Sequence, residues 1–262
     1  MQDKEISSLK EQYQEEWDFY FSNVDDIFSS IAVDLGLIKI APVKTQPNVL
    51  WITIKMNDQR TDGLSSSGEF EVLSAIEDIL VENIKADFEA THVGRLTANG
   101  YRDIYFYVGE TTHVEKAISE AMLRFPDYEY EYGTKLDEEW NGFFNFLYPS
   151  PWQLQSIQNR RVIDNLEENC DSLIKERPVD HWIYFKSQTD REAYLAKVTE
   201  EGFMVISQEF IAEMVDFPYS LHISRIDKVD QSSIDDCVYF LWESAQEHNG
   251  DYDGWETSIE TN

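Results

Sequence analysis

The order of its predicted strands and helices limits the fold of this chain more than any other feature, because one series of six elements occurs twice. Apolar residues that alternate with polar ones predict strands, and apolar residues spaced three or four apart predict helices. In the first half these patterns predict strand, helix, strand, strand, helix and strand at 48–56, 66–84, 88–96, 102–109, 112–125 and 127–136. The Asn99-Gly100 pair, between the third and fourth elements, favours a tight hairpin.

The second half repeats this series at 181–187, 189–201, 203–207, 219–226, 232–248 and 254–260. Thr189 and Glu192 have the spacing of a capping box, in which two side chains satisfy free N–H groups at a helix start. Thr112 and Glu115 repeat that spacing in the first half. Because a βαββαβ series forms a four-stranded antiparallel sheet with both helices on one face, we predict an α+β fold of two tandem ferredoxin-like sandwiches.

Three segments lie outside the repeated series. Residues 16–22 and 29–40 predict a β-hairpin added before the first sandwich, and a helix near 152–170 precedes the second. We therefore place the domains at 1–150 and 151–262. A flexible linker between them would be polar, whereas the junction carries two prolines and six aromatic residues that we expect to hold the halves together: Trp140, Phe143, Phe144, Phe146, Tyr148 and Trp152.

Acidic residues outnumber basic ones in both halves of the chain. There are 51 acidic and 21 basic residues in all, which gives a net charge of −30. The part up to residue 150 holds 28 acidic and 12 basic residues, and the remainder holds 23 and 9. Such a surface repels phosphate backbones and anionic lipids, so we expect no direct binding of nucleic acid or membrane. It attracts a protein partner with a basic surface, although acidity also serves solubility alone.

Signals for catalysis and for cofactors are missing from the sequence. It contains neither a phosphate-binding glycine loop nor the turn of a serine hydrolase. Cys170 and Cys237 form no disulfide framework, and we interpret Cys237 as a small buried apolar residue. The five histidines lack zinc spacing, and we interpret His181 and His222 as structural residues. We expect a non-enzyme with no catalytic residue and no cofactor.

Two further expectations concern localisation. No apolar run approaches the roughly 20 residues that cross a bilayer. The first 17 residues are acidic and lack the apolar centre of a signal peptide. We therefore expect a soluble cytoplasmic protein.

The segment from Asn249 resembles an EF-hand calcium loop in its spacing of oxygen-bearing side chains. Loop positions 1, 3, 5, 9 and 12 are Asn249, Asp251, Asp253, Thr257 and Glu260. Position 1 is not the usual aspartate, position 8 is Glu256 instead of an apolar residue, and only two residues follow where an exiting helix is needed. We therefore expect no metal at this segment.

A structural role explains the same segment without a ligand. Asn249 or Gly250 is expected to end the last helix in the left-handed conformation. Residues 251–254 are then expected to form a turn. Trp255 follows in the last strand, which in this fold pairs with the first strand of its sandwich at the sheet edge, so we expect the indole to close the core.

The motif Tyr252-Asp253-Gly254-Trp255-Glu256, together with "VDHWIYF" (179–185) and "EEGFMVI" (200–206), resembles the RraB family of protein regulators of ribonuclease E activity. The similarity covers about residues 155–260. It implies a small acidic ferredoxin-like domain that binds a protein and catalyses no reaction. It also marks six candidate partner-binding residues: Asp251, Tyr252, Asp253, Gly254, Trp255 and Glu256.

The first half carries its own resemblance. With "WDFYFSN" (17–23) and "GTKLDEEWNGFFNFLYPS" (133–150) it is similar to an uncharacterised bacterial domain. This domain distinguishes the chain from the single-domain RraB regulators, so the resemblance alone leaves the partner open.

Three hypotheses for function follow. The first is a non-catalytic acidic regulator that docks on a basic region of a ribonuclease E-type nuclease, where carboxylates occupy sites meant for phosphate. The second is a general protein-interaction or scaffold module with an unrelated partner, using sheet edges or the aromatic junction. The third is a small-molecule-binding protein or an enzyme that uses the cleft between the two halves.

Overall fold

A computed structural model of the chain describes residues 13–261, which form two units, the first ending at Ser150 and the second running from Pro151. Each unit has its own antiparallel sheet and its own apolar core. Residues 1–12 lie outside the described residues. They include most of the acidic N-terminal segment that we expect not to be a signal peptide. None of the described helices combines the length and the apolar character needed to cross a membrane.

The first unit contains a six-stranded sheet in the spatial order β1-β2-β4-β5-β3-β6. Its strands are β1 (Trp17–Val24), β2 (Ile27–Asp34), β3 (Asn48–Lys55), β4 (Ala90–Ala98), β5 (Tyr101–Val108) and β6 (Tyr130–Leu136). Strands β4-β5-β3-β6 have the order of a ferredoxin-like sandwich, and the hairpin β1–β2 extends the sheet beside β4. The predicted α+β fold and its added hairpin are confirmed.

Two helices, α1 (Ser67–Asp87) and α2 (Val114–Met122), cover one face of this sheet. The Ser66 side chain accepts a hydrogen bond from the Glu69 N–H (3.2 Å), so the predicted start of α1 is confirmed. The capping box predicted at Thr112 is wrong. His113 occupies the position before α2 in a left-handed conformation, with φ of 70° and no side-chain cap, which leaves Thr112 one residue too far from the helix.

The second unit contains a four-stranded sheet in the order β10-β7-β9-β8. Its elements are α3 (Pro151–Glu168), β7 (Arg177–Phe185), α4 (Gln188–Glu200), β8 (Met204–Phe210), β9 (Tyr219–Asp227), α5 (Gln231–Glu247) and β10 (Gly250–Thr257). This is the strand order of β4-β5-β3-β6 in reverse, and the last strand pairs with the first as predicted.

Both crossover helices of the second unit begin earlier than predicted. The Ser187 side chain accepts from the Asp190 N–H (3.1 Å), so α4 begins before Thr189. The Asp230 side chain accepts from the Ser233 N–H (3.1 Å) at the start of α5. In each case a second residue able to cap lies two positions upstream of the predicted one, and the upstream residue makes the cap.

The aromatic residues near the junction pack within the unit to which each belongs. Trp140 stacks on Tyr107 with ring centroids 4.1 Å apart and donates from Nε1 to the Gln46 carbonyl (2.9 Å). In the second unit, Trp152 packs against Tyr239 and Trp242. The indoles of Trp140 and Trp152 thus anchor the end of one unit and the beginning of the next.

Candidate functional site

The motif at residues 251–256 lies in the edge strand β10, which pairs antiparallel with β7. The turn predicted at 251–254 is wrong, because these residues belong to the strand. A register shift between Tyr252 and Gly254 leaves Asp253 as an extra residue, and Gly254 has φ of 141°. Glycine is common in β-bulges as well as in turns, which is why this segment reads as a turn in the sequence. Asn249, with φ of 49°, ends α5 as expected.

The bulge divides the side chains of the motif into a buried set and an exposed set. Tyr252 and Trp255 both face the core and are 5% and 8% exposed. In a regular strand, residues three positions apart would lie on opposite faces of the sheet. Asp251, Asp253 and Glu256 are exposed. The strand therefore presents three carboxylates on a backbone held by two buried aromatic rings.

Trp255 is fixed by a hydrogen bond as well as by packing. Its Nε1 donates to Oδ1 of Asn159, a fully buried residue of α3, at 3.0 Å. Asn159 in turn donates from Nδ2 to Oδ1 of Asp235 on α5 (2.8 Å). This chain of contacts connects β10 to two helices, so the edge strand cannot shift without disturbing the core.

Tyr252 belongs to a second buried network, which joins side chains that no sequence motif connects. The Tyr252 hydroxyl lies 2.8 Å from Nδ1 of His181, and Nε2 of His181 lies 3.9 Å from Sγ of Cys237. Sγ of Cys237 is also 4.0 Å from Oδ2 of Asp227 and 3.5 Å from Nη2 of Arg225. The sequence predicts His181 as a structural residue of a strand and Cys237 as a small buried residue, and neither prediction pairs the two side chains.

This network has metal-ligand spacing but not a metal-ligand environment. The ligand atoms of His181, Asp227 and Cys237 lie within 4.8 Å of one another. However, Arg225 donates from Nε to both Asp227 oxygens (3.1 and 2.8 Å) and stacks on the Phe203 ring 4.1 Å away. Burial raises the pKa of Cys237 to about 12 and lowers the pKa of His181 to about 3. A buried thiol that stays neutral is suited to a polar core network, not to holding a cation or attacking a substrate.

The exposed thiol of Cys170 and the buried thiol of Cys237 should differ in their reactivity. Because the thiolate is the reactive form, we expect only Cys170, which is exposed, to react with a maleimide at neutral pH in the folded protein. Mass spectrometry should find one label per folded chain and two after denaturation. The Cys170→Ser variant should then take up label only when denatured, and rapid labelling of its Cys237 in the folded state would contradict the assignment.

The structure does not arrange the calcium-loop residues around a common centre. Residues 251–257 are extended, so their side chains are spread along the strand. Several make other contacts, such as the Asn249 amide donating to Asp190 (3.1 Å) and the Thr257 hydroxyl donating to the Pro178 carbonyl (2.7 Å). Three of the five calcium-ligand candidates lie in this strand, and the other two flank it: Asn249, Asp251, Asp253, Thr257 and Glu260.

The exposed carboxylates of β10 form an edge of uncompensated negative charge, which we call the acidic edge: Asp251, Asp253 and Glu256. None of the three forms a salt bridge within residues 13–261. Partial burial, followed by the charge of Asp253, raises the pKa of Asp251. A cationic group brought to this edge would relieve that repulsion.

The opposite edge of the same sheet is apolar. Met204, Ile206 and Phe210 on β8 are 61%, 53% and 62% exposed. An edge strand has unpaired N–H and C=O groups, and exposed apolar side chains beside them favour contact with another protein. The sequence predicts a strand at 203–207, and in the structure this strand continues to Phe210.

Comparison with known proteins supports the resemblances in both halves. Residues 15–148 match the family described as "Family of unknown function (DUF695)", and residues 156–257 match "Regulator of ribonuclease activity B". No curated protein matches the chain. Among solved structures, an unknown protein from Galdieria sulphuraria is 12% identical, covering 80% of this chain and 98% of that one, with a TM-score of 0.23. The chain thus belongs to the DUF695 family through residues 15–148 and continues into a region that matches the RraB family.

Proposed function

We propose that this protein is a non-catalytic regulator whose second unit binds a basic surface of a ribonuclease, one of the ribonuclease E type. The observation that carries the proposal is the acidic edge on a domain that matches a family of ribonuclease regulators. The three carboxylates lie on a strand held from behind by Tyr252 and Trp255. Little conformational freedom is therefore lost when they meet a partner, which favours binding.

The mechanism follows from the chemistry of carboxylates. Arginine-rich segments that bind RNA present guanidinium groups to phosphates, and a carboxylate accepts the same paired hydrogen bonds. A rigid row of carboxylates can therefore occupy such a segment and exclude RNA from it. The net charge of the whole chain, −30, speeds the encounter with a basic partner.

The proposal predicts that neutralising the acidic edge weakens association without affecting the fold. In the triple variant Asp251→Asn, Asp253→Asn and Glu256→Gln, we expect affinity for an arginine-rich segment of a ribonuclease E-type nuclease to fall about tenfold or more at low salt. Titration calorimetry at several salt concentrations is the measurement, and wild-type binding should itself weaken as salt screens the charges.

A matched control removes three exposed carboxylates elsewhere on the same unit: Glu192, Glu200 and Glu201. Changing these to glutamine alters the net charge equally, so it reports the general electrostatic contribution. If the control loses as much affinity as the acidic-edge variant, the binding is non-specific and the proposed site is wrong.

The apolar edge at β8 favours a second candidate, a protein-interaction module with an unrelated partner. This candidate depends on apolar contact, so Phe210→Ser should abolish capture of the partner while a rise in salt should not. The two candidates therefore separate in one pull-down from the native host, carried out with the acidic-edge variant and with Phe210→Ser.

A further inference from the structure

The added hairpin creates a groove in the first unit. Strands β1 and β2 extend the sheet beyond α1, and a cavity of about 610 Å³ lies over them. The strand register places Phe21, Ser30 and Thr97 in one row across β1, β2 and β4, and this row faces the same side as the core beneath α1. The first turn of α1 and the loop before it form the wall of the groove.

The groove concentrates arginine in a unit that is otherwise acidic. The first unit contains four arginines, and three of them, Arg60, Arg95 and Arg102, line the groove. Among the described residues that line it, Glu71 is the only acidic one. Guanidinium groups that converge on a cavity are suited to an oxyanion, because their N–H groups match the oxygens of phosphate and carboxylate.

Arg102 lines the groove and has one buried guanidinium N–H group without a hydrogen-bond acceptor among the described residues. The residue is 1% exposed, and its Nε donates to the Thr97 hydroxyl (3.1 Å). Its Nη1 has no hydrogen-bond acceptor within residues 13–261 and lies 3.6 Å from Oε2 of Glu77. Arginine remains charged in proteins, and leaving such a donor buried without an acceptor is costly. A negatively charged ligand bound in the groove would lower that cost.

The charges around Arg102 also favour a negatively charged ligand. Glu77 also accepts from Nη1 of Arg95 (2.8 Å), so one carboxylate serves two guanidinium groups. Burial, together with the charge of Arg95, lowers the pKa of Arg102 to about 10. A negative group in the groove would add to the charges of Glu77 and Glu69, the two carboxylates that act on Arg102.

The rest of the groove supplies an apolar surface and a helix N-terminus. The rings of Phe19, Phe21 and Phe70 line it, and Arg102 stacks over Phe70 at 5.2 Å from the ring centroid. The N–H groups of Ser67 and Gly68, in the first turn of the 21-residue helix α1, have no acceptor within the helix. Such N–H groups and the helix dipole attract anions.

We propose that this groove binds a small molecule that carries an oxyanion, phosphate or carboxylate, on an aromatic body. The arginines and the first turn of α1 hold the oxyanion, and the phenylalanine rings contact the body. The cavity volume falls within the range of small-molecule sites.

Titration of the full chain with simple probes tests this proposal. Phenyl phosphate and benzoate each combine the two features, whereas inorganic phosphate and benzyl alcohol have one each. We expect at least one of the first pair to bind about tenfold or more tightly than either of the second pair. The comparison of phenyl phosphate with benzoate identifies which oxyanion the groove prefers.

Arginine variants assign the binding to the groove. Arg60 is exposed and pairs with Asp62, so Arg60→Gln should leave the fold intact while weakening binding several-fold. Arg102→Met should weaken it about tenfold or more. Arg124→Gln, which changes the fourth arginine of the unit, lies outside the groove and is the matched control.

Nuclear magnetic resonance of the wild-type chain tests the groove without relying on Arg102→Met, whose effect on folding is then irrelevant. In the wild-type chain, the better probe should shift the amide signals of Ser67 and Gly68, and inorganic phosphate should do so only at much higher concentration. The proposal is overturned if no probe binds more tightly than benzyl alcohol, or if Arg60→Gln and Arg124→Gln bind equally well.

Discussion

Replacing Trp255 by alanine is expected to lower the free energy of unfolding of the second unit by about 3–5 kcal/mol. The indole is 8% exposed and packs in the same core as the aliphatic residues of α5. Its removal leaves a cavity that the surrounding helices can fill only in part. It also removes the donor that contacts Asn159, a fully buried amide, which adds to the loss.

Hydrogen exchange is the measurement suited to a chain with two units, because it reports on each sheet separately. In the full-length variant, we expect faster exchange in β7 and β10 and unchanged exchange in β3. Glu256→Gln is the control, since it alters the exposed neighbour of Trp255 and should leave exchange in β7 as in the wild type. An unchanged β7 in Trp255→Ala, accompanied by loss of partner binding, would show that the indole belongs to an interface and not to the core.

The repeated βαββαβ series was predictable because apolar residues recur about every 2 residues in its strands and about every 3.6 residues in its helices. The boundaries were less predictable, because more than one residue in a short polar segment can cap a helix. Ser187 precedes the predicted cap Thr189 by two positions, and Asp230 precedes the predicted helix start at residue 232 by the same distance. Local pattern identifies a helix, but the geometry of the incoming chain selects among neighbouring caps.

The candidate site illustrates a different limit. The motif around Trp255 came from a family resemblance, and its acidic residues are exposed, but the division into buried and exposed sets depends on a β-bulge. A bulge and a turn both favour glycine, so only the pairing with β7 distinguishes them. The network of His181 and Cys237 was missed because 56 positions separate the two residues in sequence.

The groove in the first unit could not be predicted from composition at all. An acidic chain argues against anion binding on average, whereas Arg60, Arg95 and Arg102 converge only because β4, β5 and the loop before α1 meet beside the added hairpin. Net charge describes the field far from the protein, and contacts within a cavity depend on the few groups that line it.

The first strand of the second unit, β7, begins four residues before the predicted start at residue 181. An ion pair at this early start is expected to make a large contribution to stability. Strand β7 begins at Arg177, among charged residues and a proline that do not suggest a strand. Arg177 and Asp171 are both buried and form a two-armed ion pair. The Asp171 carboxylate also accepts the N–H groups of Leu173 (2.8 Å) and Glu260 (2.7 Å). The pair therefore connects the start of β7 to the segment that follows β10.

We expect Arg177→Met to lower the free energy of unfolding by about 3–5 kcal/mol at neutral pH, because it leaves a buried carboxylate without its counter-charge. The hydrogen bonds from Arg177 hold the pKa of Asp171 well below its usual range. A lowered carboxyl pKa contributes stability that is fully present above the unfolded-state value of about 3.9. This contribution is lost progressively as the pH falls from that value through the lower folded-state pKa. The difference between wild type and Arg177→Met should therefore be largest near pH 7 and should shrink below about pH 4.

Urea unfolding followed by hydrogen exchange in β7, at pH 7 and at pH 3.5, measures this difference. Lys175→Met is the matched control, since Lys175 forms an exposed ion pair with Glu260 at 3.5 Å and its loss should cost about 1 kcal/mol or less. If Arg177→Met is equally destabilising at both pH values, the loss comes from packing of the arginine side chain and not from its charge. A difference that narrows in acid would instead show that the charge of this ion pair, which no sequence motif marks, holds the start of β7 to the segment after β10.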